Sequence, residues 1–302
     1  MASARPNFFI VGAPKCGTTA RYEYLRPPPN IFMSRLKEPH FFATDLGTYP
    51  FVKTPEAYAA LFAETTERHL RVGEGSVYYL RSTTAIRNIY EYNPKAKLIA
   101  MFRNPVDMVH SFHSQLLYVS QEDVRDFETA WRLQGRRSQG LDLPRRSRGA
   151  FLLQYAEMGR FGSQAQRMLS IFPASQVKMI LFDDFARSPQ RIYDEVIDFL
   201  EIPHDGRSEF PRINENKRAR VAWLRRLMVN PPRKIRGAYH RFKEAVGGKH
   251  LDPVKQWVID RITVRERRSS LSPDFRAELV ETFREEVALL SRVLNRDLSH
   301  WG

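Results

Sequence analysis

Phe8-Phe9-Ile10-Val11 is an unbroken apolar run that ends on Gly12. Such a run has no polar face to offer water, so it predicts a strand covered on both sides, as in the middle of a parallel sheet. A short turn follows, and Thr18–Leu25 reads as a helix that Pro27, Pro28 and Pro29 stop. Parallel neighbours need a crossover, usually a helix, so this unit commits the chain to alternating strands and helices.

The rest of the sequence keeps that alternation. Strands are expected at Ile31–Met33, within "HLRVGEGSVYYL", at Lys97–Phe102 and within "QVKMILFDDF", whose end carries Asp183 and Asp184. Helices are expected from Pro55 to Ala63 (capped by Thr54), over Thr83–Tyr92, Pro105–Tyr118, Asp126–Gln134, Phe151–Ala156 and Phe161–Ile171, and from Pro189 with Ser188 as cap. Pro273–Leu294, capped by Ser272, carries an apolar stripe of Leu279, Phe283, Val287 and Leu290. The pattern predicts an α/β, P-loop-like three-layer fold with a central, mostly parallel sheet flanked by helices, in one domain over residues 1–302. Ligands of such sheets lie beyond the carboxyl ends of the strands. Gly12–Thr19, Glu74–Tyr79 and Arg103–Ser111 should therefore face one crevice.

The turn nearly spells the phosphate loop G-x-x-x-x-G-K-[ST]. Gly12, Gly17 and Thr19 fit, but Thr18 stands where the lysine belongs and the lysine is Lys15. Backbone N–H groups at a helix start attract an anion, and the Thr18 and Thr19 hydroxyls and the Lys15 ammonium add donors. A second anion site is expected where Arg103 ends a strand and Ser111 follows two helical turns on. Taken alone, Arg103 could simply cap the sheet.

Charge and composition narrow the partners. A chain that is 42% hydrophobic and 12% aromatic is not globally disordered. The single cysteine, Cys16, excludes a disulfide framework and a cysteine-rich zinc site. No uncharged apolar run approaches the ~18 residues of a membrane span. The opening strand leaves no room for a signal peptide, so a soluble, cytoplasmic protein is expected. The net charge of +14 is carried by two basic segments, Arg136–Arg148 and Arg207–Lys249. Such segments either face solvent or attract an acidic partner. "VAWLRRLMVNPPRKIRGAYHRF", with Trp223, Leu224, Leu227 and Met228 among arginines, reads as an interfacial helix making peripheral membrane contact or as an ordinary packed helix. The sequence carries no signature of an oligomeric state.

"PKCGTT" after the first strand and "RNPVDMVHS" after a later one resemble the two nucleotide signatures of PAPS-dependent sulfotransferases. So do "LKEPHFF", "GEGSVYYL", "FPASQVKMILFDDFARSPQRIYDEVIDFLEIP" and "LSPDFRAELVETFREEVALLSRVLNRDLSHW", in order and spacing. "KEPHFF" is typical of the bacterial and carbohydrate-type branch. The resemblance implies that Lys15, the Cys16 backbone, Gly17, Thr18 and Thr19 hold the 5′-phosphosulfate of PAPS. Arg103 and Ser111 would hold its 3′-phosphate, and no metal would be needed. It further implies that Glu38 is the general base on an acceptor hydroxyl, that His40 orients Glu38 or the acceptor, and that Lys15 stabilises charge on the leaving oxygen. Burial beside Pro39 and Phe41 should raise the Glu38 pKa, with Lys37 opposing.

Two departures stand out. "GEGSVYY" lacks the lysine of the "GEKTP"-type segment and the histidine base of small-molecule sulfotransferases, so lysine support would have to come from elsewhere, with Lys37 the candidate. The "KGxxG" segment is absent, and "RERRSS" (Arg265–Ser270) is the candidate substitute. The expected acceptor is a glycan, glycolipid or small molecule bearing a hydroxyl, anionic if the basic segments face it. A P-loop kinase or NTPase is the rival reading, against which Thr18 speaks. A nucleic-acid-binding protein is a second, which gives no reason for two anion signatures. A nucleotide-binding relative without catalysis is a third, against which Lys15 and Glu38 speak together.

Overall fold

The computed structural model describes residues 5–47, 49–211 and 270–302, and the backbone of 217–219 and 263–265. Five strands form one all-parallel sheet: β1 (Phe8–Gly12), β2 (Ile31–Met33), β3 (Arg71–Gly75), β4 (Lys97–Phe102) and β5 (Val177–Leu181), in the order β2-β3-β1-β4-β5. Every residue of β1 is buried. That is why its sequence is apolar throughout rather than alternating.

The helices are α1 (Thr18–Tyr24), α2 (Pro55–Ala59), α3 (Ala85–Tyr92), α4 (Pro105–Tyr118), α5 (Phe127–Arg132), α6 (Gln134–Ser138), α7 (Tyr155–Met158), α8 (Phe161–Leu169), α9 (Phe182–Arg187), α10 (Pro189–Leu200) and α11 (Pro273–Leu294). An antiparallel ribbon of β6 (Lys217–Ala219) and β7 (Thr263–Arg265) adds to them. The expected caps at Thr54 and Ser272 accept backbone N–H bonds of the following turn, and Asn104 and Asp126, not expected as caps, do the same for α4 and α5.

Several elements differ from expectation. Asp183 and Asp184 do not end a strand; they lie in the first turn of α9, where carboxylates suit the helix dipole. Asp183 accepts from Trp301 Nε1 at 2.9 Å, and Asp184 pairs with Arg296 at 3.1 Å, so both tie the chain's end to the sheet. Ser188 stands at the cap position of α10 without a side-chain cap bond. The helix expected over Asp126–Gln134 ends at Arg132, and α6 follows beyond Leu133. Residues 150–153 form a 3-10 turn before α7.

Strands β3, β1 and β4 are neighbours and parallel, so the segments that leave their carboxyl ends share one edge of the sheet. The turn is stitched to both sides: Ala13 N–H donates to Met101 O at 2.9 Å, Ser76 N–H to Ile10 O at 3.0 Å and Leu80 N–H to Val11 O at 2.9 Å. α11 lies against α8 so closely that a Cβ at Gly162 would stand 2.5 Å from Glu286 O.

Candidate active site

The turn after β1 presents its donors in two directions. Cys16 is buried, and its Sγ–H donates inward to Pro14 O at 3.4 Å. Burial pushes its thiol far up, although the charges of Arg103 and Lys15 pull the other way. The Cys16 side chain therefore belongs to the core, and its backbone is what faces the turn. Gly17 caps α1 at φ 91°, a left-handed conformation that costs glycine little. Thr18 is buried; Thr19 is half-buried, and its Oγ1 accepts from Lys37 Nζ at 2.8 Å. Lys15 donates to Gln115 Oε1 of α4 at 3.2 Å.

Asp107, Ser111 and Gln115 are spaced at i, i+4 and i+8 and so run along one face of α4. Arg103 Nη2 reaches Asp107 Oδ2 at 3.6 Å, and its guanidinium lies over the Phe182 ring at 4.9 Å. The face thus runs from Arg103 through buried Ser111 to the partner of Lys15. Arg103 stands at one end of this face and Gln115, which holds Lys15 of the turn, at the other.

Glu38 lies beside the turn. The Lys37 ammonium that bonds Thr19 also bonds Glu38 Oε1 at 2.8 Å. His40 Nε2 is 3.7 Å from Glu38 Oε2. Burial does push the Glu38 carboxyl up, but His40 and Lys37 together outweigh it, and the net pKa falls to about 2. The expected rise is thereby reversed, because His40 and Lys37 both stand against the carboxylate. His40 is fully buried, neither ring nitrogen has a hydrogen-bond partner, and burial lowers its pKa despite Glu38. Lys15, Glu38 and His40 all have left-handed backbones, at φ 61°, 63° and 53°. Non-glycine residues held so are costly and cluster at functional sites.

An aromatic wall continues outward from His40. Its ring stacks on Tyr78 at 5.0 Å and meets Tyr49 edge-on at 5.1 Å. Tyr49 and Tyr78 both pack on Phe151, and Tyr49 also on Phe51. Arg148 lies over Phe51 at 4.5 Å and Arg81 over Phe151 at 5.4 Å. The basic segment Arg136–Arg148 is only partly available. Arg136 pairs with Asp142, and Arg137 is fully buried on Glu122. Of Arg207–Lys249, residues 212–216 and 220–249 lie outside the described residues, with Trp223, Leu224, Leu227 and Met228 among them. So do 266–269 of the Arg265–Ser270 candidate.

The structure joins the Glu38–His40 loop to the turn Lys15–Thr19 through Lys37, with Arg103 and Ser111 along α4. Sequence reasoning did not find the contacts of Asp107 and Gln115 or the hydroxyl network around Glu74. The signal for the latter was a lone acid inside an otherwise uncharged run, "VGEGS". Among the described residues, no group of three or more His, Cys, Asp and Glu side chains is placed to hold a metal ion.

Residues 5–228 match the sulfotransferase domain family. A sulfotransferase of known structure from Alicyclobacillus acidocaldarius is 28% identical, covers 99% of both chains and superposes with a TM-score of 0.71. Carbohydrate sulfotransferase 15 of Rattus norvegicus is 27% identical over 35% of this chain and 26% of its own length. Heparan sulfate glucosamine 3-O-sulfotransferase 6 of Homo sapiens is 31% identical over 37% of this chain and 31% of its own. The chain thus spans about a third or less of these two relatives. With most of its length matched by that family and five of its strands in one all-parallel sheet, the chain belongs to the sulfotransferase domain family.

Proposed function

We propose that the protein moves the sulfuryl group of PAPS to a hydroxyl of an anionic acceptor and releases PAP. The observation that carries this reading is the Lys37 ammonium, shared between Thr19 of the turn and Glu38. It brings an anion cradle and a carboxylate base to the two sides of one cation. The donor set fits PAPS: Lys15, Lys37 and Arg103 supply three cations, and the turn supplies hydroxyl and backbone donors. Lys15, the Cys16 backbone, Gly17, Thr18 and Thr19 would hold the phosphosulfate, and Arg103 and Ser111 the 3′-phosphate.

PAPS supplies an activated sulfuryl group. Glu38, ionised down to about pH 2, accepts the proton of the acceptor hydroxyl as the new O–S bond forms. A base that weak needs help, and Lys37 provides it: turning toward the donor's anion frees Glu38 of its ion pair and strengthens it. Lys15 stabilises the charge that builds on the leaving oxygen. His40, neutral and enclosed by Tyr49 and Tyr78, stands 3.7 Å from the carboxylate's other oxygen and limits where it can swing.

For the acceptor, the aromatic wall ending in Arg148 and Arg81 suits a ring-bearing molecule with an anionic group. Two relatives are named for carbohydrate and heparan sulfate, and the latter is polyanionic. The test is transfer of labelled sulfate from PAPS to a panel of anionic glycans, neutral glycans, phenols and lipids. Transfer to anionic members above the others supports the whole reading; preference for neutral ones removes the acceptor class. PAP at about 100 times its Kd should add about 2.7 kcal/mol of stability, read as a raised Tm without added metal. Stabilisation by ATP–Mg²⁺ alone would favour the kinase reading.

A further inference from the structure

Glu74 stands on β3 opposite Phe9 of β1 and is fully buried. Among the described residues its carboxylate is met by three hydroxyls and no cation: Ser76 Oγ donates at 2.6 Å, Tyr58 OH at 2.7 Å and Tyr79 OH at 3.1 Å. Each of these three groups also holds one of three successive residues of the loop that carries the base. Ser76 Oγ accepts the His40 N–H at 3.0 Å. The Tyr58 ring stacks on the Phe41 ring at 4.4 Å. Tyr79 OH accepts the Phe42 N–H at 3.3 Å. The same loop bears the left-handed backbones of Glu38 and His40, which persist only where the surroundings over-determine them.

We propose that Glu74 is a positioning residue for the base: as a carboxylate it holds Ser76, Tyr58 and Tyr79, and through them residues 40–42, so that protonating it slackens the Glu38–His40 pair and slows turnover. An ionised carboxylate only accepts, so all three hydroxyls donate to it and keep lone pairs for the loop's N–H groups. A protonated Glu74 has a proton of its own to place. One hydroxyl must then turn to accept it, and that hydroxyl's proton loses its partner. This rests on the sulfotransferase reading only for the word turnover; the loop and its geometry stand without it.

Burial pushes Glu74 up to about 7, with the three hydroxyl bonds pulling the other way. The ionisable groups around it are Tyr58 of α2, Tyr79, Tyr22 of α1 and Tyr92 of α3, all raised by burial and so neutral near pH 7, and His40 beyond Ser76, lowered by burial. Glu38 itself is ionised far below this range. On this proposal the acid limb of turnover belongs to Glu74.

The experiment compares wild type with Glu74→Gln. Turnover is read as PAPS cleavage with water as the acceptor; the water proton passes to Glu38, and sulfate and PAP leave. The wild-type rate should climb about tenfold per pH unit toward about 7 and then level off. Glu74→Gln should be flat across that range and about 10- to 100-fold slower on the alkaline side. Stability should move with the opposite sign. A carboxyl raised in the folded state keeps a proton that the unfolded chain has lost, so wild type should lose stability relative to Glu74→Gln as pH rises toward about 7. In labelled-histidine NMR, the His40 ring resonance should step near the same pH in wild type and not in the variant. An acid limb or a His40 step that survives in Glu74→Gln overturns the proposal. If that variant does not fold, Ser76→Ala cuts one arm alone; it should slow cleavage with the PAP-induced shift in Tm intact, and an unchanged rate counts against the proposal. Failure of PAP to stabilise either protein sinks the sulfotransferase reading, while the His40 step still decides for or against Glu74.

Discussion

Lys37 is the residue on which the site turns. One ammonium stands 2.8 Å from both Thr19 Oγ1 and Glu38 Oε1 and so ties the turn to the Glu38 loop. With His40 it also holds the Glu38 pKa down to about 2, far from where a general base works best. Glu38→Gln should keep PAP affinity and lose about 10²- to 10⁴-fold in kcat, measured with the best acceptor from the panel. Unchanged kcat would remove Glu38 from the mechanism. Lys15→Ala should lose both PAP affinity and turnover, since its ammonium serves ground state and transition state alike.

At the scale of elements, two helices define the crevice by what they are packed against. α4 presents Asp107, Ser111 and Gln115 along one face because residues four apart stack on a helix, and β4 delivers Arg103 at its foot. α11, far away in sequence, packs against α8 across Gly162 and reaches α4 through Arg276, whose Nη1 is 3.4 Å from Asp107 Oδ1. A Cβ there would meet Glu286 O at 2.5 Å and Leu289 Cβ at 2.7 Å, and neither backbone nor packed side chain can yield freely. Gly162→Ala should cost about 1–3 kcal/mol in urea unfolding with little change in PAP affinity. A neutral result would mean that α11 can shift as a body.

At the scale of the molecule, the basic surplus is smaller than it reads. Arg137 is spent inside, bidentate on Glu122 at 2.6 and 2.8 Å, with Tyr155 OH on the same carboxylate at 2.6 Å. Arg137→Ala would leave that carboxylate buried and uncompensated, so about 3–5 kcal/mol of stability should be lost, as measured by chemical denaturation. The pH dependence has a definite sign. Burial pushes Glu122 up, but its bonds from Arg137, Tyr155 and the backbone bring it below the usual carboxylate range. Its contribution is therefore present above the unfolded carboxylate pKa and is lost as pH falls through the lower folded value. Arg137→Ala should weaken that acid dependence; a variant with the full wild-type acid dependence would place its origin elsewhere.

How much was legible follows from the range of the forces. Strands β1, β2 and β4, helix α4 and the caps at Thr54 and Ser272 could be read from the sequence because apolar runs, prolines and capping hydroxyls act over a few residues. The turn Gly12–Thr19 and the loop around Glu38 could be read for the same reason, since each motif is contiguous. The fate of Asp183 and Asp184 could not, because Trp301 and Arg296 reach them from more than a hundred residues away. Nor could the burial of Arg137, or the reversal of the Glu38 pKa by neighbours whose contacts depend on loop geometry. The hydroxyl network of Glu74 joins α2, β3 and the base loop, three pieces that touch only when the sheet is assembled. The sequence by itself determined the α/β layers and the edge of the sheet from which its motifs leave. Tertiary structure decided which charges are paired, which are buried and how far each pKa moves, because desolvation and ion pairing depend on distances that only the packed chain sets.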